Sequence, residues 1–564
     1  MLAHILSDTR IEPPADFPVT WPQAEDAQRY WTRDREHLPD PMTPLCFSTN
    51  AEMFPAARQP AVTLYDEAVL DIQGRRINTY LYMHLVTASG TPEEMSARAK
   101  RNRARLSAVS LRLGELWATE WLPELRGHFA FWDSFDLTQA DFRTLCAHLD
   151  ETLRRYQRLW ELHYLFAPPM WFAIHEFENF YADLFPGSTP LDAHRLLQGF
   201  DNKTLEMGRA LWQLSRSARG VPAVRQIICE RPAAEVCATL DGVEEGRTFL
   251  QDLRAFLREH GCRSDLWDWG CPSWEDDPTP VINNLKNYLA QPDRDLTAEL
   301  QAAAAEREGA IAAAREVLSR YPRAVRERFE QILPAAQHGL VLTENHTYYL
   351  DFNGFGRIHR VMREFGRRFA REKRLQQPCD IFYLFIDELR ELLRQPDWDM
   401  RDLTAQRRAE MEYWRSYPEP IELGTRPAKV APLYSPEARR IQKYMNRLNN
   451  DVALNTEVGH VLCGQAGSSG KVIGPARVID SLAEAQRVRP GDILVTTTTA
   501  PSWTPLFLTA AAVVTDAGGM LSHSAVVARE YHIPAVVGTR YATARIADGQ
   551  LIEVDGNAGK VTLL

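Results

Sequence analysis

The stretch T-D-A-G-G-M-L-S-H-S-A-V-V-A-R-E, residues 515–530, decides how the C-terminal part of this chain is interpreted. The apolar run A-A-V-V leads into it, as expected for a strand that ends at this point. Gly518 and Gly519 have no Cβ, so the backbone can take positive φ and turn its N–H groups towards one point. Ser522 is a favourable N-cap, and the sequence predicts a helix with His523 in its first turn.

A histidine in the first turn of a helix lies in the partial positive charge of the helix N-terminus. That charge disfavours an imidazolium and favours an anion nearby, and backbone N–H groups at glycines bind phosphate. A neutral imidazole at this point is a nucleophile suited to accepting and donating a phosphoryl group. The alternative is that His523 caps a helix or fills a gap in the core, and the residues alone leave both interpretations open.

Bulk properties exclude several classes of protein. A length of 564 residues predicts two to four domains. The net charge of −10 argues against nucleic acid or an anionic membrane as the main partner. Eight cysteines without a C-x-x-C pair predict reduced thiols in a cytoplasmic protein and no metal site. We expect no signal peptide and no membrane span, because the sequence has neither pattern.

The patterning predicts a multidomain protein: a mostly α-helical body with an irregular and β N-terminal part, followed by a C-terminal α/β domain. Residues 1–90 are rich in proline and then strand-like, and are expected to pack on the body. Residues 91–415 have helical spacing, with a turn expected at A-P-P near residue 167. Residues 416–458 are predicted as a linker and hinge helix, and residues 459–564 as the α/β domain.

Residues 515–530 and the Y-H-I-P-A-V-V-G that follows resemble the signature of the swivelling phosphohistidine domain of PEP-utilising enzymes. The segments G-Q-A-G-S-S-G-K-V-I-G-P-A-R-V-I (464–479) and P-G-D-I-L-V-T-T-T-T-A-P-S-W-T-P-L (490–506) resemble its opening and middle. The resemblance implies that His523 is the phosphorylated residue. It also implies phosphate-binding positions at Thr515, Gly518, Gly519, Ser522 and Arg529. For Arg529, six residues further along the helix, a structural ion pair is the alternative.

Two segments of the body resemble the histidine-bearing subunit of phenylphosphate synthase and rifampicin phosphotransferase-like proteins. They are H-G-C-R-S-D-L-W-D-W-G-C-P-S-W-E-D-D-P-T-P (260–280) and E-N-H-T-Y-Y-L-D (344–351). Residues 1–450 contain no glycine-rich phosphate loop, and the sequence ends soon after the histidine domain. We therefore expect Mg2+ and ATP to bind a separate ATP-grasp subunit, which charges His523.

The resemblance implies the catalytic subunit of a dikinase-type phosphotransferase with a phosphohistidine intermediate. AMP and phosphate are the expected by-products, with water as the second phosphoryl acceptor. The expected substrate is a small aromatic, phenol-type hydroxyl, as in the degradation of aromatic compounds, because a phenol with a pKa of about 10 needs only a modest base. The alternatives are a rifampicin-like antibiotic as acceptor, or a phosphocarrier or regulatory protein without chemistry of its own.

The body must then supply a base, cations and an acceptor pocket. His346 and His175 are the candidate bases; for His175 the alternative is a core histidine paired with Glu178. The candidate cations are Arg263, Arg357 and Arg360, for which surface or helix-pairing roles are the alternative. The candidate pocket consists of aromatic residues that are otherwise interpreted as core, namely Trp171, Phe172, Phe177 and Tyr181.

Overall fold

The computed structural model describes residues 8–427, except 36, 265, 292, 396 and 418, and residues 460–564. The predicted hinge helix and the rest of the predicted linker from residue 428 onward lie outside the described residues. Within the described residues, no helix combines the length and the apolar character needed to cross a membrane.

Five antiparallel strands form an N-terminal sheet in the order β1-β5-β2-β4-β3. They are β1 Thr9–Ile11, β2 Tyr30–Arg33, β3 Val69–Ile77, β4 Tyr80–Thr87 and β5 Glu422–Arg426. β5 lies in the segment that the sequence predicts as linker, yet it pairs with both β1 and β2 and buries Leu423 completely. The neighbouring prolines stand just outside β5, so the strand keeps its ladder donors.

Helix α1, Pro44–Tyr65, replaces the irregular structure that the prolines of residues 1–90 predict. Pro44 lies in the first turn, where the missing N–H is not needed. Pro55 and Pro60 lie inside the helix, whose buried face packs against the long central helix of the body. Burial of this face outweighs the two lost hydrogen bonds.

The body consists of helices around one 43-residue helix, α5, which packs against α1, α2 and α13. The helices after α1 are α2 Pro92–Ser110, α3 Leu113–Leu116, α4 Leu122–Asp133, α5 Phe142–Leu184, α6 Pro190–His194, α7 Lys203–Gly220, α8 Pro222–Glu230, α9 Ala233–Asp241, α10 Glu244–His260, α11 Thr279–Ala290, α12 Leu296–Leu318, α13 Arg323–His346, α14 Asn353–Arg371, α15 Ile386–Arg394 and α16 Arg401–Arg415. The turn expected near residue 167 is wrong: α5 continues through Pro168 and Pro169 because this stretch is packed in the core. A π-helical segment, Thr347–Phe352, joins α13 to α14.

Residues 460–564, called the histidine unit below, form an eight-stranded sheet in the order β6-β13-β12-β8-β9-β10-β11-β7. Strands β8 to β11 are parallel to one another, and the outer strands are antiparallel. The strands are β6 Val461–Cys463, β7 Gln465–Ser468, β8 Lys471–Val478, β9 Ile493–Thr496, β10 Ala512–Thr515, β11 Ala535–Val537, β12 Leu551–Asp555 and β13 Lys560–Leu563. The helices are α17 Thr504–Phe507, α18 His523–Glu530 and α19 Ala542–Arg545. The predicted fold class is confirmed.

Candidate active site

The loop between β10 and α18 places His523 at the carboxyl end of the parallel strands, where α/β proteins bind ligands. Gly518 has φ +100°, and a Cβ there would lie 2.8 Å from the Ser522 hydroxyl oxygen, so glycine is required. Gly519 has no positive φ. Ser522 is the N-cap residue as predicted, but its hydroxyl donates to the Gly519 carbonyl at 2.8 Å and not to the helix.

His523 contacts a carboxylate of the body. Its Nδ1 atom lies 3.1 Å from Oε2 of Glu344 in α13, and the two side chains are only 9% and 3% exposed. The Thr204 hydroxyl donates to the same Oε2 atom at 2.7 Å. Burial raises the pKa of Glu344, but the electrostatic interaction with His523 and the hydrogen bonds from His523 and Thr204 outweigh this effect, so the pKa falls below its ordinary value. Glu344 is therefore ionised at neutral pH and accepts from Nδ1 of His523.

The second ring nitrogen, Nε2, lies 3.4 Å from Oγ1 of Thr504. The Thr504 hydroxyl has a shorter hydrogen bond, which it donates to the Pro501 carbonyl at 2.8 Å. A hydroxyl has one hydrogen to donate, so the lone pair of Nε2 is left available. Because Glu344 fixes the proton on Nδ1, Nε2 is the nucleophilic nitrogen of His523.

Further contacts dock the histidine unit on the body. Hydrogen bonds join the two parts between Gly199 N and Glu530 (3.0 Å), Asn287 and Ala485 O (3.0 Å), Gln291 and Thr509 (2.6 Å), and Arg35 and Asp516 (3.3 Å). Gly208 of α7 allows close approach, because a Cβ there would lie 2.7 Å from the Tyr531 hydroxyl. His523 is thus enclosed between the two parts of the chain.

Two protein-family models match this chain. Residues 173–344 match the rifampicin phosphotransferase fourth domain, and residues 488–559 match the mobile domain of PEP-utilising enzymes. The second match contains the loop that carries His523. The chain belongs to the PEP-utilising enzyme family. Within this family it is related to the phosphotransferases.

Curated relatives match the chain over part of their own length. Chondramide synthase cmdD of Chondromyces crocatus is 38% identical over 98% of this chain and 14% of that protein. The uncharacterized phosphotransferase YvkC of Bacillus subtilis is 30% identical over 72% of this chain and 48% of the relative. A rifampicin phosphotransferase of Streptomyces sviceus is 32% identical over 64% of this chain and 40% of the relative. The chain therefore spans less than half the length of each of these relatives.

The other signature residues of the PEP-utilising domain hold the loop together. The Arg529 guanidinium donates to the Gly467 carbonyl at 2.8 Å and to the Met520 carbonyl at 2.9 Å, and its burial lowers its pKa to about 10. The Thr515 hydroxyl is buried and donates to the Ala517 carbonyl at 2.7 Å. Arg529 therefore has a structural role, but its hydrogen-bond partners are backbone carbonyls and not the acidic partner of the ion pair that we gave as its alternative. In this docked arrangement neither side chain points its polar group at His523.

The candidate cations of the body are engaged elsewhere. Arg357 and Arg360 lie 2.6 Å and 3.5 Å from the Asp133 carboxylate, as in the helix-pairing alternative. Arg263 is fully buried and donates to the carbonyl of Lys203 at 3.1 Å. Arg263 therefore supports the start of α7, next to Thr204, while Arg357 and Arg360 form ion pairs.

The two candidate bases have different surroundings. Nδ1 of His346 lies 2.8 Å from the Leu342 carbonyl, which fixes the proton on Nδ1 and leaves Nε2 as an acceptor. His346 follows Glu344 by two residues, and burial lowers its pKa. Nδ1 of His175 lies 3.0 Å from Glu178, whose other oxygen lies 2.8 Å from His194. His175 thus has the pairing that we gave as its alternative, whereas the hydrogen bond of His346 leaves its Nε2 atom able to accept a proton.

The four candidate pocket residues do not line one pocket. Phe177 and Tyr181 pack with α12 and α13. Trp171 packs against the main core of the body, and Phe172 against a cluster around Tyr65. Since successive helix residues are about 100° apart, an aromatic run of this length faces several sides of α5. The structure therefore does not bring these four side chains together around one space.

One group among the described side chains has metal-ligand spacing: Glu206, Glu259 and His260 lie within 4.8 Å of one another. The Lys203 amine lies 2.8 Å from Glu206, and the Arg263 guanidinium lies 3.4 Å from Nδ1 of His260. Two cations at these distances oppose a further cation, and Mg2+ prefers oxygen ligands. This group does not fit the Mg2+ that the family's chemistry involves.

Three residues around His523 were not predicted from the sequence. Glu344 and Thr504 contact its ring nitrogens, and Thr204 donates to the Glu344 carboxylate. Glu344 stands in the E-N-H stretch, but histidine is the more usual base, so the sequence favoured the neighbouring His346 as the candidate base. Thr204 is placed by Asn202, which caps α7 by accepting from the N–H of residues 204 and 205. Only the tertiary structure brings α7, α13 and α17 together around His523.

Proposed function

We propose that His523 carries a phosphoryl group from an ATP-grasp subunit to the hydroxyl of a small aromatic acceptor bound by the body. The observation that supports the proposal is the 3.1 Å contact between Nδ1 of His523 and Glu344. It joins the expected phosphohistidine to a buried carboxylate of the domain that is expected to hold the acceptor.

The contact suits discharge of the phosphohistidine. With the phosphoryl group on Nε2, the acceptor oxygen attacks phosphorus while the P–Nε2 bond breaks and its electron pair returns to Nε2. Nδ1–H stays hydrogen-bonded to Glu344, so the carboxylate orients the ring and stabilises the positive charge on phosphohistidine. The acceptor's proton passes to a base of the body, for which His346 has the required free Nε2.

Charging requires a different arrangement. The His523 side chain is 9% exposed in the docked arrangement, so a nucleotide on another protein surface has no access to it. The histidine unit must therefore leave the body to be charged and return to be discharged. In this proposal the ATP-grasp subunit binds ATP and Mg2+. AMP and phosphate are the by-products, and water accepts the second phosphoryl group.

The proposal is tested by charging and discharging His523 separately. The chain is incubated with ATP labelled at each phosphate, with and without an ATP-grasp protein, and then with phenols. Label on His523 that needs the ATP-grasp protein and that phenols remove supports the proposal. Label in His523→Ala, or label from ATP without a partner, contradicts it. Stable label that no hydroxyl compound removes would instead identify a phosphocarrier.

A second candidate acceptor is a rifampicin-like antibiotic, favoured by the match of residues 173–344 to the rifampicin phosphotransferase fourth domain. The same charged protein distinguishes the two. Rapid loss of label with rifampicin and not with simple phenols favours the antibiotic acceptor, and the reverse favours the aromatic one.

A further inference from the structure

We propose that the acceptor site consists of His163, His346 and Asp351 beside the rings of Trp160 and Trp267, and that it binds an uncharged, planar aromatic hydroxyl compound with a second oxygen. This set is called the aromatic–histidine cluster below. The inference rests on the proposed function, whose acceptor and site it specifies.

Two buried polar atoms of the cluster lack partners. Asp351 is 2% exposed, and its Oδ2 atom has no hydrogen-bond partner among the described residues. The buried Nδ1 atom of His163 likewise has none within the part of the chain that the structure describes. An unsatisfied buried polar atom destabilises the fold, so its retention points to a ligand that hydrogen-bonds to it.

The three polar residues face one region. The ring centroids of His163 and His346 are 5.5 Å apart. The side chain of His37 interacts electrostatically with His163, His346 and Asp351 alike, and its ring lies 4.7 Å from that of Trp267. Two parts of the body, α5 and the continuous stretch from the end of α13 through the π-helical segment, therefore present these groups to the same region. Single π-helical turns are frequent at functional sites.

The region adjoins the reacting histidine. His346 interacts electrostatically with Glu344, which contacts His523. Phe352, next to Asp351, packs into the core of the histidine unit together with Trp503 and Phe507. The Phe507 ring lies 6.0 Å from that of His523. An acceptor in the cluster is thus beside the docked histidine unit.

Burial disfavours charge in the cluster. It raises the pKa of Asp351 well above its ordinary value, which favours the protonated carboxyl, a form that can donate a hydrogen bond to a ligand. It lowers the pKa of His163 well below its ordinary value, so this imidazole is neutral. The charged groups nearby are paired: Arg58 with Glu67, and His37 with Asp34. An anionic acceptor would have no free cation among these groups, which favours a neutral one.

Aromatic rings supply the walls. The Trp160 ring lies 4.9 Å from that of His163, and the Phe166 ring lies 5.9 Å from that of His346. Trp160 and Trp267 are only partly buried, so the cluster reaches the surface. A planar ring suits these walls. Its hydroxyl donates to Nε2 of His346, which takes the proton as the oxygen attacks phosphorus, and its second oxygen accepts from Asp351.

The test uses 7-hydroxycoumarin, a fluorescent aromatic hydroxyl with a carbonyl, and the full chain without phosphorylation. We expect saturable binding, much weaker binding of 7-hydroxycoumarin-3-carboxylate, and no binding of cyclohexanol. Asp351→Leu should weaken binding about tenfold while raising Tm, because it removes both a hydrogen bond and an unsatisfied carboxyl. Asp351→Asn keeps a donor and should bind within about threefold of the original. A merely structural Asp351 would give a lower Tm and unchanged binding.

His163→Gln should also weaken binding, and His148→Gln is its matched control. His148 is on the same helix, is 5% exposed, and has a buried Nε2 atom without a partner among the described residues. It lies 15 residues away, about 22 Å along α5. Binding that is absent, or that Asp351→Leu and His163→Gln leave unchanged, overturns the site. Binding by a chain whose His523 is never phosphorylated keeps the site and rejects the proposed function.

Discussion

The Oε2 atom of Glu344 accepts hydrogen bonds from two parts of the protein, Nδ1 of His523 at 3.1 Å and the Thr204 hydroxyl at 2.7 Å. The carboxylate belongs to α13 of the body, whereas His523 begins a helix of the histidine unit. The buried carboxylate of Glu344 therefore contacts His523 only when the two parts are docked, and this contact determines which nitrogen of His523 is free.

Glu344→Gln should slow discharge of phosphorylated His523 by about 10- to 100-fold, the loss expected when a charge-assisted hydrogen bond becomes neutral. Charging the chain chemically with labelled phosphoramidate removes the need for an ATP-grasp protein. The amount of label should be unchanged, because Nε2 remains nucleophilic, while the rate of its loss to a phenol falls.

Glu330→Gln is the control for this prediction. Glu330 lies on the same helix, but its side chain is 49% exposed and pairs with Arg315. It should discharge at the original rate. Equal rates for both variants would show that Glu344 does not take part in the transfer.

Gly518→Ala should destabilise the histidine unit by about 1–3 kcal/mol and reduce labelling of His523. The substitution forces φ +100° on a residue with a Cβ and brings that Cβ within 2.8 Å of the Ser522 hydroxyl. Thermal unfolding and phosphoramidate labelling measure the two effects.

Gly491→Ala is the control that separates the effect of backbone strain from that of a steric contact of the added Cβ. Gly491 has φ +96°, but no atom of the described residues outside its immediate neighbours lies within 4 Å of its Cβ position. It should lose about 1 kcal/mol of stability from backbone strain and keep full labelling. If Gly491→Ala loses labelling to the same extent, the loop around His523 has no special dependence on Gly518.

The sequence predicts the histidine loop well because its signals are local. Strand, positive-φ glycine, N-cap and helix follow one another within about ten residues, and each has its own residue preference. Gly518 and the helix start at His523 are where the pattern places them. The backbone-carbonyl partners of Arg529 could not be predicted from the local sequence, since one of them is Gly467 in β7.

The body is less predictable because packing overrides its local signals. Pro168 and Pro169 predict a turn but lie inside α5. Glu422–Arg426, although distant in sequence, forms a strand of the N-terminal sheet. Asp351 is an acidic residue that no pattern marks as buried. Its importance follows from an unsatisfied oxygen, a property that exists only in the folded chain.

Docking should weaken as pH rises through about 7. Burial raises the pKa of Glu530 to about 7, against the hydrogen bond from the Gly199 N–H and the charge of Arg529, which lower it. The docked state therefore binds this proton more tightly than an undocked state with an ordinary pKa. Its advantage is complete at acid pH and is lost as Glu530 ionises.

Small-angle X-ray scattering from about pH 5 to about pH 9 should show a larger radius of gyration at the alkaline end. Glu530→Gln should remove most of this change, because an amide stays neutral throughout. Glu553→Gln, on β12 of the same unit and paired with Lys471, is the control and should behave like the original chain. If Glu530→Gln leaves the pH response unchanged, the response comes from another titratable group.

Gly208→Leu should block discharge without affecting charging. Gly208 lies on α7 of the body, where even a Cβ would come within 2.7 Å of the Tyr531 hydroxyl of the histidine unit. A leucine side chain cannot be accommodated by a small shift, since the tyrosine ring is rigid and its hydroxyl oxygen is buried. Phosphoramidate should label His523 normally, and transfer to a phenol should fall at least about tenfold.

Gly309→Leu is the matched control. Gly309 is also a helical glycine of the body, and within the part of the chain that the structure describes no atom beyond its own helix turn lies within 4 Å of its Cβ position. It should gain about 1 kcal/mol of helix stability and transfer at the original rate. Normal transfer by Gly208→Leu would mean that the phosphoryl group leaves His523 in some other arrangement, and the contact with Glu344 would then belong to a resting state.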